Sequence, residues 1–188
     1  MWGILLSYAI MYIAQIKGGD IVGALHGSEA AEKALSDLAA DAVQPDLGIR
    51  DLCAGYAAAH FDSTSNIFHA AGMVATLWLF VYATALFFFG FGSFKHYLIL
   101  PPLYYLPAWF GHFVFQKDIP AVFTYGTTPR GLLSGEYCAF EDLFHGGIAR
   151  NPTELMYSAI LVVFMVGGLI TFGGIWPQTA KTVRVKQA

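Results

Sequence analysis

Apolar residues in this 188-residue chain come in long unbroken runs, not in the three-and-four spacing of a surface helix. A helix needs about 20 consecutive apolar residues to cross a hydrocarbon core. Phe68 to Gly90 meets that requirement without Asp, Glu, Lys or Arg, and so does Leu155 to Trp176. Tyr97 to Phe115 is long enough but holds Pro101, Pro102 and Pro107, which predicts a kinked span packed against protein on at least one side. Met1 to Ile16 is apolar but short. At 1.5 Å per residue it reaches roughly 24 Å, below the roughly 30 Å core. It reads as a short tilted span or as a helix packed on another subunit. No Lys or Arg precedes it, so the charge pattern of a secretory signal is not met. The expected fold is all-α: an integral membrane helical bundle of three to four transmembrane helices.

Polar positions fill the intervals. Ser28 to Val43 predicts an amphipathic helix, with Ser28 as cap, Glu29 and Glu32 in the first turn, and Ala31, Leu35, Leu38 and Ala42 as the apolar stripe. Gln44-Pro45 ends it, and a second Ala-rich helix is expected from Asp46 towards Ala59. The chain divides into an apolar segment 1–16, a polar helical connection 17–59, a two-span region 60–145, and a final span with a basic tail over 146–188.

Composition agrees. Hydrophobic residues make up 56% of the chain and charged residues only 12%, against about 25% in a soluble domain. A net charge of −3 excludes a nucleic-acid footprint, leaving membrane lipid and other membrane subunits as expected partners. Lys95 and the tail residues Lys181, Arg184 and Lys186 mark one side of the membrane. Segments 17–66 and 116–154 are richer in acids and face the other. Cys53 and Cys138 form no C-x-x-C pair and are expected to be unrelated thiols.

Six histidines remain to be placed. His69 opens the first long span and His112 closes the next. Antiparallel neighbours joined by a short turn put these two at one depth. His60 stands nine residues before His69, on the opposite face of a continuous helix. A break in the polar stretch Asp62-Ser63-Thr64-Ser65-Asn66 is expected to let both rings converge. A histidine at a membrane interface also sits ordinarily among headgroups or on a backbone carbonyl. Three at one level point instead to a metal, since imidazole suits iron, copper, zinc or nickel. Two such histidines also offer axial ligands to a haem.

The motif Tyr56-Ala-Ala-Ala-His60, then His69-Ala-Ala-Gly72, then Gly111-His112-Phe-Val-Phe-Gln116-Lys117-Asp-Ile-Pro120-Ala121 resembles the 2-hydroxy fatty acid dioxygenase family of small multi-span membrane proteins. The resemblance covers roughly residues 50–145. It implies iron(II)-dependent shortening of long-chain 2-hydroxy fatty acids by one carbon, as in fatty-acid alpha-oxidation, at the endoplasmic reticulum. It also implies His60, His69 and His112 as metal ligands and catalytic residues, with Gln116 and Lys117 supporting the cofactor. The family has Glu where this chain has Gln116, and Asn-Pro or His-Pro where it has Asp62-Ser63. Gln116→Glu is therefore expected to raise activity by restoring a carboxylate. Asp62 and Glu136 are the candidate oxygen ligands.

A second reading is a non-catalytic accessory subunit of a large membrane complex, such as an energy-transducing assembly of the mitochondrial inner membrane. Gly167-Gly168 and Gly173-Gly174 in the last span would be its close-packing surfaces.

Overall fold

A computed structural model describes residues 2–42, 53–54, 62–125, 137–141 and 152–172, and every element among them is helical. The chain runs α1 (Trp2–His26), α2 (Ser28–Ala42), α3 (Ser63–Phe88), α4 (Lys95–Leu98), α5 (Leu100–Gly111), a π-turn (His112–Gln116), α6 (Val122–Tyr125) and α7 (Pro152–Phe172). Three helical stretches are long and apolar enough to cross a membrane: Ser63–Phe88, Lys95–Gln116 and Pro152–Leu169.

The helix that begins at Trp2 does not stop near Ile16. It continues to His26 through a single non-helical residue, Lys17, whose φ of −119° and ψ of 16° bend it. Gly27, at φ +94°, then reverses the chain into α2. A positive φ is readily reached only without a Cβ. The buried face of α2 is set by Ala34, flanked by Ala30, Ala31 and Leu38, while Leu35 is half exposed. The expected stripe keeps Ala31 and Leu38, with Ala34 in the place expected for Leu35. The reason lies in the partner: α1 presents Gly19 and Gly23 there, so the contact is between small residues, with Leu35 lying over Gly19 at the edge.

Asp62 caps α3 by accepting from the backbone N–H of Ser65 at 2.8 Å. The expected break therefore falls at Asp62, which is extended (φ −85°, ψ 118°), and Ser63 to Asn66 form the first turn of the helix that starts after it. Cap formation by an Asx residue wins because it satisfies one of the N–H groups a helix start leaves orphaned. In the second span, Pro101 and Pro102 occupy the first turn of α5, where a missing N–H costs nothing, and only Pro107 lies in the interior.

Helix directions follow from contacts between distant residues. The Ser63 hydroxyl donates to Glu154, and Ser158 Oγ donates to the carbonyl of Ile67 at 3.3 Å, both across 91 positions. Hence α7 runs parallel to α3. Tyr8 donates to Leu98 O at 3.0 Å, and His26 lies 2.8 Å from Phe113 O, so α1 runs parallel to α5. α5 returns antiparallel to α3 after the turn at Gly90 (φ +77°). A Cβ at Gly72 in α3 would stand 2.7 Å from Tyr104 O in α5, and one at Gly111 would stand 2.8 Å from Ser65 Oγ. Two glycines, one on each helix, set the crossing.

Two apolar clusters flank that crossing. Ala14, Val22 and Ala34 meet Ala108, Trp109, Phe113 and Ile119 on one side. Ala75, Leu79 and Leu103 meet Val162, Met165, Val166 and Leu169 of α7 on the other. Cys53 and Cys138 are joined as a disulfide, not left as separate thiols. The bond ties segment 17–66 to segment 116–154, so that Cys53 and Cys138 lie on one side of the bundle. The rest of the helix expected over 46–59 lies outside the described residues, as does the chain beyond Phe172.

If the glycine crossing sets the bundle, Gly72→Val should destabilise it by about 1–3 kcal/mol, the usual range for overpacking. Gly168→Ala, where an added Cβ meets nothing within 4 Å, should stay within about 0.5 kcal/mol of the parent. Thermal unfolding in detergent followed by circular dichroism measures both. Equal losses would remove the crossing from its central place.

Candidate functional site

His69 sits two turns into α3 and His112 at the junction of α5 with the π-turn. Both are buried, and their rings meet edge to face with centroids 4.8 Å apart. Each ring is anchored through Nδ1. In His69, Nδ1 lies 2.9 Å from the carbonyl of Ser65, one turn back on the same helix. In His112, Nδ1 lies 2.7 Å from Asp118 Oδ1. A carbonyl and a carboxylate only accept, so each Nδ1 carries a proton and donates it. Outer oxygens on the far nitrogen are the usual support for metal-ligating histidines.

The π-turn makes the second anchor. His112–Gln116 is wound with the wider ring, and Lys117 follows in the left-handed region at φ 61° and ψ 33°. The N–H groups of Lys117 and Asp118 both point back to the carbonyl of His112, the latter at 3.3 Å. Asp118 thus holds His112 twice, by its backbone at the carbonyl and by its side chain at the ring. Left-handed backbone at a lysine stores roughly 1–3 kcal/mol and is found where surrounding structure enforces it. π-turns inside helices are frequent at functional sites.

Gln116 is buried, and its amide donates to Asp118 Oδ2 at 3.2 Å. This reverses the expectation for Gln116→Glu. A glutamate there would set one carboxylate against another, in place of a donor that steadies it. Lys117, exposed, stands at the rim beside the turn. Asp62 is committed to the cap of α3. His60 and Glu136 lie outside the described residues, and among the described residues no three His, Cys, Asp or Glu side chains gather as a metal site. The pair His69 and His112, with Asp118 behind one of them, is what the structure brings together.

Phe68, Phe110 and Phe115, within three positions of His69 or His112 in the chain, pack on one another with ring centroids 5.1, 5.6 and 6.0 Å apart. Phe110 and Phe115 are partly open to the surroundings of the bundle.

Asp118 had no role in the sequence reading. It is six residues from His112, and six helical steps of about 100° would place the two on different faces. Only the widened turn and the left-handed reversal at Lys117 fold it back. Its role predicts that Asp118→Asn lowers transition-metal affinity about 10- to 100-fold, with Asp118→Glu milder. Gln116→Glu should lower affinity too. Titration with Co(II), read by its visible absorption, measures all three, and an unchanged Asp118→Asn would detach the carboxylate from the site.

Residues 48–132 match the family model described as 2-hydroxy-palmitic acid dioxygenase Mpo1-like. No curated protein and no solved structure matches the chain significantly. The matched segment contains α3, α4, α5 and the π-turn, and so both placed histidines, Gln116, Lys117 and Asp118. Over residues 48–132, a little under half of its length, the chain is similar to the Mpo1-like family.

Proposed function

We propose that this chain is a membrane-bound, iron(II)-dependent dioxygenase acting on long-chain 2-hydroxy fatty acids. The observation that supports it most is the buried pair His69 and His112, whose rings meet with centroids 4.8 Å apart and are each held through Nδ1, which makes Nε2 the nitrogen that would face a metal. That donor set fits iron, for which imidazole is an ordinary ligand. His60, which precedes the cap of α3, is the proposed third ligand. Bound iron(II) would supply the site for dioxygen and for the 2-hydroxy acid to meet.

The chain's own residues contribute position and exclusion. Asp118 keeps the His112 proton on Nδ1 and the ring in one orientation. Ser65 O does the same for His69. Lys117, at the rim, attracts the acid's carboxylate. Its left-handed backbone holds that charge beside the turn. Phe68, Phe110 and Phe115, packed on one another, offer an apolar bed for the first part of the acyl chain. The shortening balances with one dioxygen per acid, giving an acid one carbon shorter, carbon dioxide and water. No external reductant is required.

Iron-loaded protein should consume dioxygen with 2-hydroxypalmitate and release the acid shortened by one carbon. His69→Ala and His112→Ala should each abolish this, while Gly168→Ala leaves it unchanged. Lys117→Gly keeps the turn, because glycine favours a positive φ, and removes the charge. It should raise KM several-fold and leave kcat within about twofold, the pattern of lost uniform binding. Oxygen uptake and product chain length measure these. Protein that binds no iron, turns over no 2-hydroxy acid and co-purifies stoichiometrically with a larger membrane complex would be an accessory subunit instead.

A further inference from the structure

The ring of His26 reaches across 87 positions of sequence to the carbonyl of Phe113, with Nε2 at 2.8 Å. His26 lies outside residues 48–132, on the last turn of α1. We propose that His26 is a positioning residue for the histidine site, acting through the π-turn and not on any ligand. The proposal rests on reading His112 as a ligand.

The geometry of the turn explains the need. In a regular helix each carbonyl receives the N–H four residues on. Here the N–H groups of Lys117 and Asp118 both converge on His112 O. The regular partner of Phe113 O would be Lys117 N–H, which the wider winding has taken away. His26 supplies a donor at that carbonyl. An acceptor such as a carbonyl requires the proton on Nε2, and protonating the ring as well would keep the bond, so the contact is a strut and not a pH switch.

Packing along α1 points the same way. Ala14, Gly18 and Val22 are its buried residues, four apart, and His26 is the next member of that row. A Cβ at Gly18 would stand 3.1 Å from the side chain of Ile119, with Phe123 at 3.6 Å. Val22 is fully buried in the cluster that holds Phe113 and Ile119. The row therefore grips both ends of the segment that contains Lys117 and Asp118. If His26 releases Phe113 O, the turn is free to rewind as an ordinary helix, and Asp118 is carried off the His112 ring.

The experiment uses the full chain in mild detergent with nitrogen-labelled histidine. The His112 ring signals, assigned by their loss in His112→Gln, report the Nδ1–H tautomer with no metal present. His26→Gln places an amide donor at the reach of Nε2 and should keep the parent signal. His26→Ala should lose it, and Co(II) affinity should fall about tenfold, the low end for loss of support behind a ligand. Should His26→Ala not be recovered folded, His26→Asn, with the same amide on a shorter arm, takes its place with the same expectation. Val22→Ala thins the same packing without touching the hydrogen bond. It should lower the melting temperature and retain the His112 signal.

A folded His26→Ala or His26→Asn protein with an unchanged His112 signal overturns the proposal. So does equal loss of the signal in Val22→Ala, which would mark a purely structural role. Parent protein that shows the His26-dependent signal but binds neither Co(II) nor iron sinks the metal reading alone, and supports His26 as the residue that sets the turn.

Discussion

The closeness of α3 to α5 is the constraint on which the rest depends. Apolar side chains gain little by leaving lipid for one another, so helices in a membrane associate where small residues let backbones approach. Gly72 beneath Tyr104 O and Gly111 beneath Ser65 provide two such points, on opposite helices and on either side of the histidine level. Between them the backbones have little freedom to separate. His69 lies inside this short interval and His112 follows directly on Gly111 at its end, so the two rings meet. A single larger residue at either glycine would move the imidazoles apart before it touched them.

From that crossing the π-turn follows as a local adjustment. α5 ends with its last turn pressed on α3, yet the chain must reverse to pack Ile119 and Phe123 back against Trp109. Widening the helix by one residue per ring, then placing Lys117 left-handed, accomplishes the reversal within a few positions. The same adjustment delivers Asp118 to the ring of His112. Strain at Lys117 and support at His112 are thus two results of one backbone path.

Much of this was legible in the sequence because membrane helices are written in long apolar runs. The three spans and the pairing of His69 with His112 came from run length and from the antiparallel logic of a short turn. What stayed hidden depended on geometry that departs from the regular period. Asp118 is off-face in a helix and on-target only in a π-turn. On the packed face of α2, Ala31 and Leu38 are as expected, but Ala34 is the buried residue because it enters the cluster of Val22, Trp109 and Phe113, while Leu35 lies over Gly19 and stays half exposed. Cys53 and Cys138 carry no spacing signal across 85 residues, and their pairing emerges only once the folded segments meet. His26 and Phe113, likewise, are joined by a contact no local pattern announces.

The parallel pairing of α1 with α5, and of α3 with α7, has an electrostatic consequence. Each helix is a dipole with roughly half a positive charge at its start and half a negative charge at its end. At the histidine end, the starts of α3 and α7 stand beside the ends of α1 and α5, so the four fields oppose one another in pairs. Asp62 and Glu154 further occupy the two starts, and His26 one of the ends. The backbone therefore leaves little net field on the buried imidazoles. Among the described residues Asp118 is the charged side chain bonded to one of the rings, so a point substitution there retunes the pair without refolding the bundle.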